Sequence, residues 1–240
     1  MGNQVAFVYS AGREQMHAKI APSILSADHG NMTNDAVKAQ SWGADWLHID
    51  IMDGKFAPNL TFGPGLVKAI RPKVSIPLDC HLMLAEPEKY VEKFLEAGAD
   101  YVTIHVEALT PSSTELIQQS VKKFGKKLGI AFRPATPLSD FDFNGVDCSM
   151  VLVMSVNPGF SGQKFMPEIL PKLQKVSKMF ASETNRHVEI EVDGGVDSSN
   201  AKLLVENGAT VLVAGNSVFG QPNQEQAFQE LRKIVGSTDA

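Results

Sequence analysis

Short runs of β-branched and apolar residues alternate along this chain with longer stretches of helical period, from Lys19 onward. Eight such runs stand out, at residues 20–25, 46–52, 78–84, 101–106, 128–132, 150–154, 188–192 and 211–214. Strands spaced by helices read as βα units that feed one parallel sheet. Eight units suffice to close a barrel, so the pattern predicts an α/β fold, a single-domain (β/α)8 TIM barrel over residues 19–240. Residues 1–18 stand before the pattern and are predicted to form an N-terminal extension outside the barrel.

The punctuation of the helices supports this division. Glu86-Pro87 sets proline early in a helix running to Ala97, and Thr110-Pro111-Ser112 opens another. Gly43, Gly98, Gly125 and Gly208 each follow a helical run just before the next strand, where a left-handed cap is expected. The fifth unit is the exception, because residues 137–143 are too few and too rich in Asp for a full helix. A doubly wound open sheet would share the alternation, but its first βα turn needs a glycine fingerprint that Ala27-Asp28-His29-Gly30 lacks.

Composition narrows the class without changing the fold. At 240 residues, with 43% hydrophobic and 20% charged residues, the chain is an ordinary globular domain. A net charge of −5 without a basic cluster argues against nucleic acid as a partner, so an anionic ligand must be held by local geometry. No apolar run approaches the eighteen or so residues of a membrane span. The opening stretch is too weak for a signal peptide, and Ala6 stands where an N-terminal myristoylation motif wants Ser or Thr. Cys80 and Cys148 have neither metal-pair spacing nor the density of a disulfide scaffold, so both are expected to be core thiols in a reducing, cytoplasmic compartment.

Polar residues on barrel strands carry the chemistry. In 47–54, His48, Asp50 and Met52 alternate with Leu47, Ile49 and Ile51, so that a strand turns the first set to one face and the second set to the other. If the apolar set meets the helices, His48 and Asp50 face the barrel interior, where a lone carboxylate is costly. The third strand repeats the arrangement with Asp79, His81 and Met83, and the seventh ends in Glu191-Val192-Asp193-Gly194-Gly195. Two imidazoles and two carboxylates converging on one barrel mouth form the donor set of a Zn or non-haem Fe(II) site. We therefore expect His48, Asp50, His81 and Asp193 around one divalent metal per subunit, with Mn or Co as substitutes. Glycine-rich turns follow the last three strands, at 157–162, 193–195 and 214–217. Bare backbone N–H groups on adjacent loops of one rim suit a phosphate cradle in an acidic protein.

The segments 21–28, 48–54, 79–83, 156–163 and 192–195, taken in order, closely resemble the ribulose-phosphate 3-epimerase family. The resemblance implies an isomerase of the pentose phosphate pathway with the same four metal ligands, Asp50 as proton acceptor and Asp193 as proton donor. It implies that Ser23 and His81 touch a phosphorylated ketopentose, and that Met52, Met83 and Met154 line its pocket, although simple core filling would serve each methionine as well. Gly159, Phe160, Ser161, Gly162, Gly194, Gly195, Gly215 and Asn216 would hold the phosphate, and a homo-oligomer is expected. Ser161 stands where the family usually has Gly, and Asn216 where Ser is common; both retain a backbone N–H. His105, at the end of the fourth strand, either supports the site or packs beside it.

Inverting a carbon next to a ketone requires acid/base groups on both faces of a planar enediolate, and Asp50 and Asp193, on separate strands, can stand opposite one another. A divalent cation beside the ketone oxygen supplies a Lewis acid for the negative charge. A related barrel acting on allulose 6-phosphate would need the same machinery. A decarboxylase of the orotidylate kind would need an Asp-x-Lys-x-x-Asp run, whereas here Lys55 falls too late after Asp50. A non-catalytic phosphosugar sensor would keep the glycine loops but has no need of two opposed aspartates.

Overall fold

Parallel pairing joins all eight strands into one sheet in the order β1-β8-β7-β6-β5-β4-β3-β2 in the computed structural model, which describes residues 17–181 and 188–236. The strands are β1 Lys19–Pro22, β2 Leu47–Met52, β3 Leu78–Met83, β4 Tyr101–His105, β5 Lys127–Phe132, β6 Cys148–Met154, β7 Glu189–Asp193 and β8 Val211–Ala214. A bridge between Ser23 and His48, together with Asp45 N–H donating to Ile20 O at 3.1 Å, brings β1 against β2 and closes the ring. The helices are α1 Met32–Ser41, α2 Pro64–Ile70, α3 Val91–Ala97, α4 Pro111–Phe124, α5 Leu170–Ala181, α6 Ala201–Glu206, α7 Asn216–Phe219 and α8 Gln224–Val235. The expected extension lies, as far as residue 16, outside the described residues. Among the described residues no helix is long and apolar enough to cross a membrane.

The two-residue alternation sorts the core into two layers. Leu47, Ile49 and Ile51 of β2 join Leu78, Cys80 and Leu82 of β3 in the large apolar layer between sheet and helices. The other face looks into the barrel, where Ala21, Trp46, Tyr101, Met150, Val211 and Val213 fill the interior. Interior packing is tight at Gly129 of β5, where an added Cβ would stand 2.5 Å from Thr103 Oγ1 and 3.0 Å from Met150 Cε. Gly129→Ala is therefore expected to lower stability by about 1–3 kcal/mol through overpacking, seen as a lower denaturant midpoint at unchanged slope. A midpoint equal to the parent's would refute this close approach.

Helix boundaries follow local chemistry. At α4 the Thr110 side chain accepts from Ser113 N–H while the Ser113 hydroxyl accepts from Thr110 N–H, with Pro111 in the first turn and Gly125 closing the helix at φ 62°. Gly43, Gly98 and Gly208 also take positive φ, as expected of left-handed caps. Two expectations need adjustment. The run from Pro87 is not one helix: a 3-10 turn at Pro87–Lys89 ends at Tyr90, whose φ of −123° breaks the spiral before α3, and Pro87, Val91, Phe94 and Leu95 are all buried. The first strand stops at Pro22 rather than 25, because the Ser23 hydroxyl accepts from Leu25 N–H and caps a 3-10 turn at Ile24–Ser26. The fifth unit, as expected, has no full helix and forms only a 3-10 turn at Leu138–Asp140. In place of a helix, Phe141 and Phe143 cover the sheet, with ring centroids 6.4 and 6.0 Å from Phe132, and Phe143 lies 5.4 Å from Phe180.

Candidate active site

Parallel register turns the interior residues of β2 and β3 into facing pairs: His48 with Asp79, Asp50 with His81, and Met52 with Met83. His48 Nε2 lies 3.3 Å from Asp50 Oδ1 and 3.9 Å from Asp193 Oδ2. His81 Nδ1 lies 3.2 Å from the same Asp50 oxygen and 3.8 Å from the same Asp193 oxygen. One atom from each of His48, Asp50, His81 and Asp193 thus falls within 4.8 Å of every other, so the expected quartet is assembled and could hold a divalent cation. The fit is supported by an orphan: His48 Nε2 is buried and makes no hydrogen bond among the described residues. A cation would satisfy that nitrogen, which the protein leaves without a hydrogen-bond partner.

Above this cluster a cavity of about 680 Å³ opens at the C-terminal ends of the strands. Ser23, Asp50, Met52, Met83, Met154, Gly159, Phe160, Ser161, Gly162, Asp193, Gly194, Gly195, Gly215 and Asn216 all border it. His48 and His81 do not; they lie fully buried. The Ser23 hydroxyl donates to Asp50 Oδ2 at 2.6 Å. On the rim, Gly195 takes φ 62°, and a Cβ there would stand 2.4 Å from Phe165 N, so only glycine lets the loops after β6 and β7 touch. Phe160 on the same rim is 59% exposed. Ser161 and Asn216 are likewise exposed.

Residues 19–219 match the family model described as the ribulose-phosphate 3 epimerase family. The ribulose-phosphate 3-epimerase of Bacillus subtilis is 45% identical over 214 residues, 89% of this chain and 98% of that protein. The enzyme of the same name from Synechocystis sp. is 44% identical over 89% of this chain and 92% of its own length. The chain belongs to the ribulose-phosphate 3-epimerase family. Among solved structures, orotidine 5′-phosphate decarboxylase from Pyrococcus horikoshii shares the fold at a TM-score of 0.63 and 17% identity, covering 91% of this chain and 100% of that one. Membership of the epimerase family makes the protein an isomerase.

In this epimerase-family barrel, further buried residues surround the quartet. Asp79 Oδ2 accepts from His48 Nδ1–H at 2.7 Å, and Asp79 Oδ1 accepts from Thr103 Oγ1 at 2.8 Å. The tautomer of His48 is thereby set, with Nε2 turned to the cluster. Sequence placed Asp79 on the face of His81 without assigning it a partner, because the partner lies one strand away. His105 is buried beside His81, with Nε2 to Nε2 at 2.9 Å, and its Nδ1 meets Glu107 Oε2 at 3.0 Å. Glu191, also buried, has both carboxylate oxygens without hydrogen-bond partners among the described residues, with Oε1 3.7 Å from His48 Nδ1.

The carboxylates set the electrostatics of this family member. Burial works against charge on His48, but Asp50 and Asp79 outweigh it and raise its pKa well above the usual imidazole value. Burial also opposes ionisation of Asp50, yet His48 and His81 hold its carboxyl well below the ordinary range. Burial and the neighbouring Asp50 charge push Asp193 up to about 6. Burial, with Asp79 beside it, drives Glu191 well up, which keeps it neutral. The site thus attracts positive charge and makes its two rim aspartates unlike, one held toward its ionised form and the other shifted toward its neutral form.

Proposed function

We propose that the protein interconverts D-ribulose 5-phosphate and D-xylulose 5-phosphate by proton transfer at C3, with a divalent cation held by His48, Asp50, His81 and Asp193. The observation that carries this reading is the sharing of His48 Nε2 and His81 Nδ1 by Asp50 and Asp193, the two carboxylates on the cavity floor. Asp50, ionised and steadied by the Ser23 hydroxyl, takes the C3 proton of ribulose 5-phosphate. Asp193, with its raised pKa, delivers a proton to the other face. A bound divalent cation supplies Lewis acidity to the ketone and neighbouring hydroxyl oxygens. Zn or Fe(II) suits two imidazoles with two carboxylates. Met52, Met83 and Met154 give the sugar an apolar wall that offers the planar carbon skeleton no competing hydrogen bonds. Backbone N–H groups of the loops at Gly159–Gly162, Gly194–Gly195 and Gly215–Asn216 receive the phosphate. The buried thiols Cys80 and Cys148 suit a reducing compartment.

A coupled assay on purified protein tests the substrate, run beside elemental analysis. Xylulose 5-phosphate is expected from ribulose 5-phosphate, with a higher kcat/KM than for allulose 6-phosphate. Chelation is expected to remove turnover in step with the cation, and Zn or Fe(II) to restore it. Full turnover by protein shown to be metal-free would overturn the cation assignment, and a preference for allulose 6-phosphate would overturn the substrate.

A further inference from the structure

The proposed cation site leaves one chain of hydrogen bonds, buried at its two histidines, without a task. It runs from His81 Nε2 to His105 Nε2 at 2.9 Å, then from His105 Nδ1 to Glu107 Oε2 at 3.0 Å. Glu107 is itself fixed, because its Oε1 accepts from Arg133 N–H at 2.9 Å and from the Thr136 hydroxyl. The Arg133 guanidinium stacks 4.1 Å from the Phe56 ring, and that ring lies 4.8 Å from His105. His105 is therefore clamped between Phe56 and His81, whose ring is stacked at 5.0 Å.

Donor and acceptor logic orders the protons along this chain. A carboxylate that already takes two donors on Oε1 can only accept at Oε2, so His105 Nδ1 carries a hydrogen. One hydrogen fits between two Nε2 atoms 2.9 Å apart, and a His81 that meets the cation through Nδ1 keeps its own hydrogen on Nε2. The hydrogen in the 2.9 Å contact must then belong to His81 Nε2. We propose that His105, anchored by Glu107, is a positioning residue that accepts the Nε2 proton of His81 and thereby leaves Nδ1 as the nitrogen that meets the cation. The inference rests on the cation reading above. It gives His81 a counterpart to what Asp79 does for His48, but through an imidazole and a loop carboxylate two residues along the chain.

The test uses the full chain with 15N-labelled histidine, first metal-free and then with added zinc. The metal-free parent is expected to show His105 as the Nδ1–H tautomer with a bare Nε2, and His81 with hydrogen on Nε2. His105→Phe removes the acceptor and is expected to weaken zinc binding about 10–100-fold in a chelator competition, the scale seen when outer partners of ligands are lost. His105→Gln, whose amide oxygen can take the same hydrogen, is expected to recover most of that affinity, which a merely space-filling role would not require. If His105→Phe fails to fold, Glu107→Ala is the substitute, and it is expected to release His105 from its single tautomer. A parent with hydrogen on His105 Nε2 would overturn the proposal, and so would a folded His105→Phe with parental zinc affinity. A parent that shows the expected tautomers yet binds no zinc would uphold the tether while refuting the cation reading.

Discussion

Asp50→Asn is expected to fold like the parent and to lose about 10⁴-fold in turnover of ribulose 5-phosphate, the upper range for loss of a general base. Asparagine matches aspartate in volume, so no cavity opens in the barrel floor. Its amide keeps partners, because its oxygen can accept from the Ser23 hydroxyl, now 2.6 Å from Oδ2, while its NH2 faces His81 Nδ1, now 3.2 Å from Oδ1. The loss is one of charge: an ionised carboxylate held below its usual pKa becomes a neutral amide that can neither take the C3 proton nor draw a cation. Thermal unfolding should be cooperative, the coupled assay nearly silent, and calorimetry should still register binding of the phosphosugar. Retained turnover would remove Asp50 from the proton transfer.

Much of this site is legible in sequence for one physical reason, the two-residue period of a strand. Because Leu47, Ile49 and Ile51 must face the helices, His48, Asp50 and Met52 had to face inward, and the barrel then brought them to His81 and Asp193. What stayed hidden depends on register and on contacts between distant loops. Asp79 pairs with His48 because β2 and β3 align those two residues, which no local pattern specifies. Glu107 lies in a 3-10 turn at Val106–Ala108, and its partners Arg133 and Thr136 come from the loop after β5. His105 could be read either way in sequence, since the residue that gives it a role is Glu107. The shortened fifth unit was visible as a gap, but the aromatic cover of Phe141 and Phe143 follows from three-dimensional packing alone. Ser161 and Asn216 depart from the family's usual residues at the rim, and both are exposed there.

Asp193→Asn is expected to separate proton removal from inversion, which no loss of overall activity could do by itself. With Asp193 as the acid on the second face, its amide cannot deliver a proton there, and conversion of ribulose 5-phosphate should fall about 10³-fold. Asp50 is intact in this variant and can still take the C3 proton. In deuterated water, with zinc in excess to offset the weaker ligand, that proton exchanges and deuterium returns to the face it left. Ribulose 5-phosphate should therefore gain deuterium at C3 without becoming xylulose 5-phosphate, as nuclear magnetic resonance of the recovered sugar would show. Xylulose 5-phosphate presents its proton to the amide instead, and should neither exchange nor convert. Exchange from xylulose 5-phosphate with none from ribulose 5-phosphate would reverse the two roles. Equal exchange from both sugars would mean that one group serves both faces, against the opposite pKa displacements of Asp50 and Asp193. The asymmetry of those two carboxyls is thus a directional claim, since each epimer should lose its proton to a different strand of the barrel.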